Sequence, residues 1–446
     1  MAKPSNLIYG VDEKPPIVST FLLALQHTFV MSSTLILPVV IVSEIGGTLD
    51  QVQSVVSYSM IAAGLATILQ SIKKGPVGSG YLCPHLVGPS YLSASIQAAW
   101  LGGLPLLFGM TAVAGFFEAL FSRVVRRLRV LFPTEVTGLV VVMVGIALVP
   151  LGVSKFLGIE TEDAIIEAAD VAVAAITLML MIGLNIWSRG RLRLYCVLIG
   201  MAIGYLLSYP LGILHSADIA RVWHSPLIAL PDRSHISWSF DVALLVPFII
   251  ASLASSLKTV GDLMTAQKVN DDAWVQADMK SISGGLLADG IGCMSSGILG
   301  GLGISTSSSN VGVSAATGAT SRRIGLGAGG LFILLAFFPK LSALFSIMPH
   351  PVMGAILVFV TSFMVIAGIQ IILTTKLDAR KTFVIGISLI FGLSVDILPE
   401  LYRNIHPWLR PLFSSSLTFS TILAIVLTQV FRIGSGKPQT NGSPAK

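Results

Sequence analysis

A few residues able to do chemistry are set into long apolar stretches. They are Lys258 and Asp262, four positions apart; Asp289; the neighbours Gln26 and His27; the neighbours Ser90 and Tyr91; and the run Ser305 to Asn310, whose six side chains are all Ser, Thr or Asn. Hydroxyls donate and accept, a carboxylate accepts, an ammonium only donates, and a neutral imidazole does both. Such a set can hold a small polar molecule or carry a proton. Bond-making chemistry finds no support: there is no HExxH, no GxSxG and no Cys/His cluster, and no nucleotide-binding motif to drive work with ATP. Cys83, Cys196 and Cys293 stand apart in apolar surroundings, so neither a disulfide framework nor a metal site is indicated, and no cofactor is expected.

Each polar residue has a structural and a functional reading. Lys258 and Asp262 share one helix face and either neutralise each other or, if Asp262 caps backbone groups, leave Lys258 facing a cavity. Asp289 either supports irregular backbone or carries a proton. His27 either binds a ligand, carries a proton, or packs as a satisfied histidine. Asn310 opens a short helix, where Asn is a favoured cap. Gly312 and Gly318 read as close-packing positions.

The elements that position these residues are membrane spans. Of 446 residues, 54% are hydrophobic and 11% charged, with mean hydropathy +0.84; a soluble domain carries about 25% charged residues. The apolar runs number about fourteen, each near the ~20 residues needed to cross. Two are interrupted. Gly80–Trp100 contains Pro84, His85, Gly88 and Pro89, and Gly300–Arg323 reads GGLGISTSSSNVGVSAATGATSRR. Irregular backbone survives in hydrocarbon only where protein or a water-filled cavity covers it, and a short, Gly-interrupted polar segment marks a transporter's binding site. Each is expected to be an extended stretch followed by a half-helix, with Ser90 and Tyr91 occupying in the first the place of Ser309 and Asn310 in the second.

Charge orients the chain. Of 28 Lys and Arg, only Lys155, Arg221, Arg233, Arg403 and Arg410 fall on the outer side, and Lys258 and Lys340 fall within spans. The rest, including Lys73, Lys74, Arg129, Arg189, Arg191, Arg193, Lys437 and Lys446, lie inside, so both termini are cytoplasmic and the net charge of +6 reports topology rather than nucleic-acid binding. The breaks are the third and tenth segments, third in each of two seven-span halves. An odd span number inverts the second half relative to the first.

Ser309-Asn310-Val311-Gly312, followed after four residues by Thr317-Gly318, resembles the signature of the nucleobase–ascorbate transporter family (nucleobase:cation symporter-2), which reads Gln, Glu or Pro, then Asn-x-Gly-x-x-x-x-Thr and Arg, Lys or Gly. Tyr9–Pro16, Gln26-His27, Phe132–Gly152, Gly261-Asp262 and Leu287–Gly292 look like further family landmarks, and together they span nearly the whole chain. The resemblance implies an all-helical core domain (residues 17–127 and 240–349) and gate domain (128–239 and 350–432) between cytoplasmic tails 1–16 and 433–446, and a homodimer in the plasma (inner) membrane. Two departures stand out. Ser309 replaces the motif's first residue, and Lys258 stands where members carry a substrate-binding Glu. Lys258 cannot accept a ring N–H, whereas small Ser309 supplies both donor and acceptor.

The expected function is a secondary transporter of a purine such as xanthine or urate. The binding set is Lys258, Ser309, Asn310, Ser90, Tyr91, Gln26 and His27, with Asp262, Asp289, Gly312 and Thr317 in coupling or support. Protons are the expected coupled ion and sodium the alternative. Carriage of another small anion, ascorbate-like or an oxyanion, is the second expectation, owing to Lys258. A channel suits a midplane broken-helix site less well.

Overall fold

Backbone in hydrocarbon must satisfy its own hydrogen bonds, which selects helices for the long apolar runs. The structure is a computed structural model describing residues 3–5, 7–72, 75–128, 133–159, 165–188, 196–274, 277–373, 376–402, 405, 413 and 416–433. Tail residues 434–446, Phe132, and the basic residues Lys73, Lys74, Arg129, Arg189, Arg191, Arg193, Arg403, Arg410, Lys437 and Lys446 lie outside the described residues.

The first half comprises α1 (Ile17–Ser32), α2 (Ile36–Glu44), α3 (Leu49–Ser71), β1 (His85–Val87), α4 (Leu92–Leu128), α5 (Thr134–Ile146), α6 (Val149–Phe156), α7 (Ala168–Trp187) and α8 (Cys196–Ser208). Helix α3 starts at a capping box in which Thr48 and Gln51 satisfy each other's backbone N–H. Helix α4 is not continuous: Gly102 and Gly103 leave helical geometry, Gly103 at φ 66°, which separates the third apolar run from the fourth. The polar stretch His215–Trp238 contains α9 (Ser216–His224), capped by His215 and Asp218.

The second half comprises α10 (Leu245–Val269), α11 (Met279–Leu299), β2 (Ile304–Thr306), α12 (Ser308–Thr317), α13 (Arg322–Leu335), α14 (Pro339–Ser346), α15 (His350–Leu373), α16 (Ala379–Ile397) and α17 (Ser416–Ile433). Helices α13 and α14 form one apolar run bent by 85°. Lys340, expected within a span, opens α14 and stands 5.2 Å over the Trp223 ring. Among the described residues, eight helical segments are long and apolar enough to cross a membrane, or nine with the bent pair.

Both interrupted segments are built as the sequence suggests, an extended stretch and then a helix. Strands β1 and β2 pair antiparallel, with His85 opposite Thr306, Leu86 opposite Ser305 and Val87 opposite Ile304. Gly88 N–H to the Gly303 carbonyl and Ser307 N–H to the Pro84 carbonyl, both 2.8 Å, extend the ladder. Each strand supplies the partner that the other lacks away from water. The two helices leave this ladder from opposite ends, with their N-termini at it.

Two sets of helices surround the ladder. In one, α4 packs on α11, α3 on α11 and α13, α1 on α13 and α10 on α4; in the other, α15 packs on α5, α6 and α7, and α16 on α17. The α4–α11 contact is close because Gly115, Gly290 and Gly297 leave no side chain between backbones. Glu44, ending α2, and Lys155, near the end of α6, form a 2.9 Å ion pair between the sets. The N-terminal stretch lies along the link between α12 and α13: Ile8 N–H meets the Gly318 carbonyl, Thr320 N–H the Tyr9 carbonyl and Arg322 N–H the Val11 carbonyl.

Candidate functional site

Helix α10 passes beside β2 and presents three side chains to it. Lys258 Nζ donates to the Thr306 carbonyl and lies 3.5 Å from Asp262 Oδ2. Thr306 Oγ1 donates to the same carboxylate oxygen at 2.7 Å. Of the two readings of this i, i+4 pair, the structure has the pairing, closed through the strand; Asp262 accepts from side chains rather than capping backbone. Thr259 Oγ1 lies 3.0 Å from Thr306 Oγ1 and donates to Asp289 Oδ2 at 2.5 Å.

Asp289, fully buried on α11, therefore bonds a side chain of α10 and not the broken backbone of the Gly300–Arg323 stretch. Its Oδ1 approaches His85 Nε2 at 3.1 Å without hydrogen-bond alignment. His85 is itself fixed by its backbone N–H, which donates to Thr67 Oγ1 at 2.8 Å.

The cap of α12 is Ser307, not Asn310: Ser307 Oγ accepts from Asn310 N–H at 3.2 Å and from Asn310 Nδ2 at 3.0 Å. That orientation turns Asn310 Oδ1 towards His27 Nδ1, 2.7 Å away. His27 must then donate from Nδ1, which makes its buried Nε2 a bare acceptor with no partner among the described residues. Gln26 is also buried, and its Nε2 likewise has no partner there.

Ser90 and Tyr91 are buried at the start of the helix after β1. Tyr91 packs on Gly303, where an added Cβ would fall 2.4 Å from the Tyr91 Cγ, and its hydroxyl donates to Glu118 at 2.9 Å. Thr317 is not brought to the cluster; it bonds the Val313 carbonyl of its own helix at 2.8 Å. The close-packing reading of Gly312 is corrected: it is exposed, and nothing stands within 4 Å of where its Cβ would lie. Gly318 is the left-handed C-cap of α12, at φ 64°.

Several positions beside these residues are exposed. On α10, Gly261 and Thr265 are exposed and Lys258 is half-buried, at i, i+3 and i+7 along one face. On α12, Ser309 and Gly312 are exposed. Gly261, like Gly312, has nothing within 4 Å of its Cβ position. The two helices pack against each other, so the Lys258 ammonium and the Ser309 and Thr265 hydroxyls are accessible on neighbouring helices, with the Asp262 carboxylate beside Lys258.

Four residues of this arrangement were not picked out as site residues from the sequence: His85, Glu118, Thr259 and Thr306. For Glu118 the signal was present, a charged residue inside an otherwise apolar span.

The chain is similar to known permeases along its length. It is 29% identical to the xanthine permease XanP of Escherichia coli, over 96% of this chain and 95% of that protein. It is 28% identical to the xanthine permease XanQ of the same organism, over 99% and 96%. Identity to the uric acid permease PucJ of Bacillus subtilis is 25%, over 94% of each. Among solved structures, the transmembrane domain of the cyanobacterial bicarbonate transporter BicA shares the fold, with TM-score 0.56 and 14% identity over 94% of this chain and 99% of that one. The model of the Permease family (Xan_ur_permease) matches residues 18–401. With its apolar helices and its broken segments paired through a short ladder, this multi-pass membrane protein belongs to that family.

Proposed function

We propose that the protein is a secondary transporter that moves a purine of the xanthine or urate type across the inner membrane. The observation that carries this reading is the partly accessible Lys258 paired with Asp262 beside β2, with exposed Ser309 on the neighbouring helix. A dioxo- or trioxopurine presents an edge of alternating carbonyl oxygens and ring N–H groups. Lys258 has three N–H donors, of which two are directed at Asp262 and Thr306, so one is left for a carbonyl. Asp262 uses only Oδ2 among the described residues, which leaves Oδ1 to accept a ring N–H. Ser309 does either. The acceptor that other members carry at the Lys258 position would thus be supplied one turn along, by Asp262.

The movement we infer is an elevator: the helices around the ladder (17–127 and 240–349) slide against the remainder (128–239 and 350–432), carrying the site from one face to the other. Two inverted seven-span halves, third and tenth segments broken, would supply the symmetry for it. Transport is coupled to protons, the protein works as a homodimer, and both termini are cytoplasmic. Counterflow in proteoliposomes tests the reading. Labelled xanthine or urate should enter against unlabelled purine inside at a saturable rate, and uptake should follow a pH gradient. Exchange of neither purine, or dependence on sodium alone, would reject it.

A second reading, a carrier of a non-purine organic anion, draws on the same ammonium. Its pairing with Asp262 weakens that reading, because the pair is neutral overall.

A further inference from the structure

Besides Asp289, one further fully buried acid lies outside the proposed binding set among the described residues. Glu118 sits on α4 beyond the glycine break, with no exposed surface. Its Oε2 accepts from the Tyr91 hydroxyl at 2.9 Å, and its Oε1 accepts from Ser256 Oγ at 3.1 Å. Among the described residues no Lys, Arg or His comes within ion-pair distance of it. The ionisable groups that face it are Tyr91, from the segment before α4, and Asp289 and Cys293, from α11. None of these is a cation. Lys258, two positions after Ser256 on α10, is directed at Asp262 and the Thr306 carbonyl instead.

An ionised carboxylate held by hydroxyls alone, deep in a protein that itself lies in hydrocarbon, is expensive; the neutral acid is not. Glu118 is also tied to both walls of the site. Tyr91 belongs to the first interrupted segment and packs on the glycine preceding β2. Ser256 sits on α10 next to the turn that carries Lys258 and Thr259. A shift of either wall when substrate binds changes the hydrogen bonds available to the carboxylate, and with them its hold on a proton.

We propose that Glu118 carries the coupled proton. The carboxylate takes up one proton on the side where the purine is loaded, crosses with the moving helices as the neutral acid, and releases that proton on the other side. One O–H bond forms and the same bond breaks. The inference rests on the proton-coupled purine transport proposed above.

The test uses the full chain in proteoliposomes, as wild type, Glu118→Gln and Glu118→Asp. Glutamine keeps the shape, accepts from Tyr91 and donates to Ser256, but cannot change charge. Glu118→Gln should lose uphill accumulation under an imposed pH gradient, and its initial rates should become insensitive to pH. Counterflow of labelled xanthine against unlabelled xanthine should continue, and Glu118→Asp should restore part of the accumulation. Accumulation and a pH profile like those of wild type in Glu118→Gln would overturn the proposal. So would loss of counterflow in both variants, which would make Glu118 a structural tie. If wild type itself shows no purine counterflow, or accumulates without a proton gradient, it is the proposed function or its coupling that has failed, and the role of Glu118 fails with it.

Discussion

At Lys258, two of three N–H donors already have acceptors, and the fate of the third separates two substitutions. Lys258→Gln removes the charge but keeps a donor, so we expect xanthine KM to rise about tenfold, the loss of one charge-assisted hydrogen bond worth ~1.5 kcal/mol. Asp262→Asn is the harsher change. It leaves the half-buried ammonium without its counter-charge and takes from Thr306 its charged acceptor, a loss of about 3–5 kcal/mol. In Lys258→Gln, by contrast, the Asp262 carboxylate keeps the Thr306 hydrogen bond and gains the new amide as donor. Uptake kinetics together with thermal unfolding in detergent check both; equal effects of the two substitutions would contradict the asymmetry. The pair itself was legible in the sequence, because i, i+4 spacing on a helix fixes who can meet. Thr306, which joins them, was not, since nothing local places a residue 44 positions on beside Asp262. The same holds for His85 beside Asp289 and for His27 beside Asn310. Asn310 misled differently. Asn is a good cap, but the chain starts the helix three residues earlier and caps it with Ser307, leaving the Asn310 Oδ1 to face His27.

Among the elements, the two extended stretches were the easiest to anticipate, because only a polar, Gly-interrupted stretch between apolar runs tolerates leaving the helix inside a membrane, but their pairing into a ladder was not anticipated. Its tightness was not visible. At Gly303 a methyl group would fall 2.4 Å from the Tyr91 Cγ, so Gly303→Ala should destabilise by about 1–3 kcal/mol and block uptake. Gly312→Ala, in open space on α12, should leave thermal stability unchanged or slightly raised by about 0.5 kcal/mol. Thermal unfolding of the two side by side decides the matter, and equal losses would refute it. The N-terminal stretch has a different sensitivity. Lys3 Nζ donates to the Glu13 carboxylate at 2.7 Å, and with the Gly10 N–H it holds that carboxyl below its ordinary value of 4.5. A lowered folded value means that this contribution is present above pH 4.5 and disappears as pH falls through the lowered value. Amide exchange should therefore find residues 8–11 protected near neutral pH and loosened in that acid window; equal protection at both ends would show that the carboxylate does not hold the strap.

Across the whole molecule, the Glu44–Lys155 ion pair fastens the helix set around the ladder to the other set. If transport requires the sets to slide, joining them covalently must stop it. Cys83, Cys196 and Cys293 are buried, so a short bifunctional thiol reagent should reach an introduced Glu44→Cys/Lys155→Cys pair in preference. Cross-linked protein should still bind purine but give no net uptake, and undiminished uptake with the link demonstrably in place would defeat the sliding mechanism. The pairing of β1 with β2 has another consequence, in time rather than space. The ribosome makes β1 early and its partner late, and until Thr306 is inserted the early strand reaches the bilayer with an edge that nothing satisfies. The nascent protein is thus vulnerable to membrane quality control for most of its synthesis. In a pulse-chase experiment, residues 1–239 made alone should be degraded quickly, and residues 240–446 supplied on a second message should rescue them.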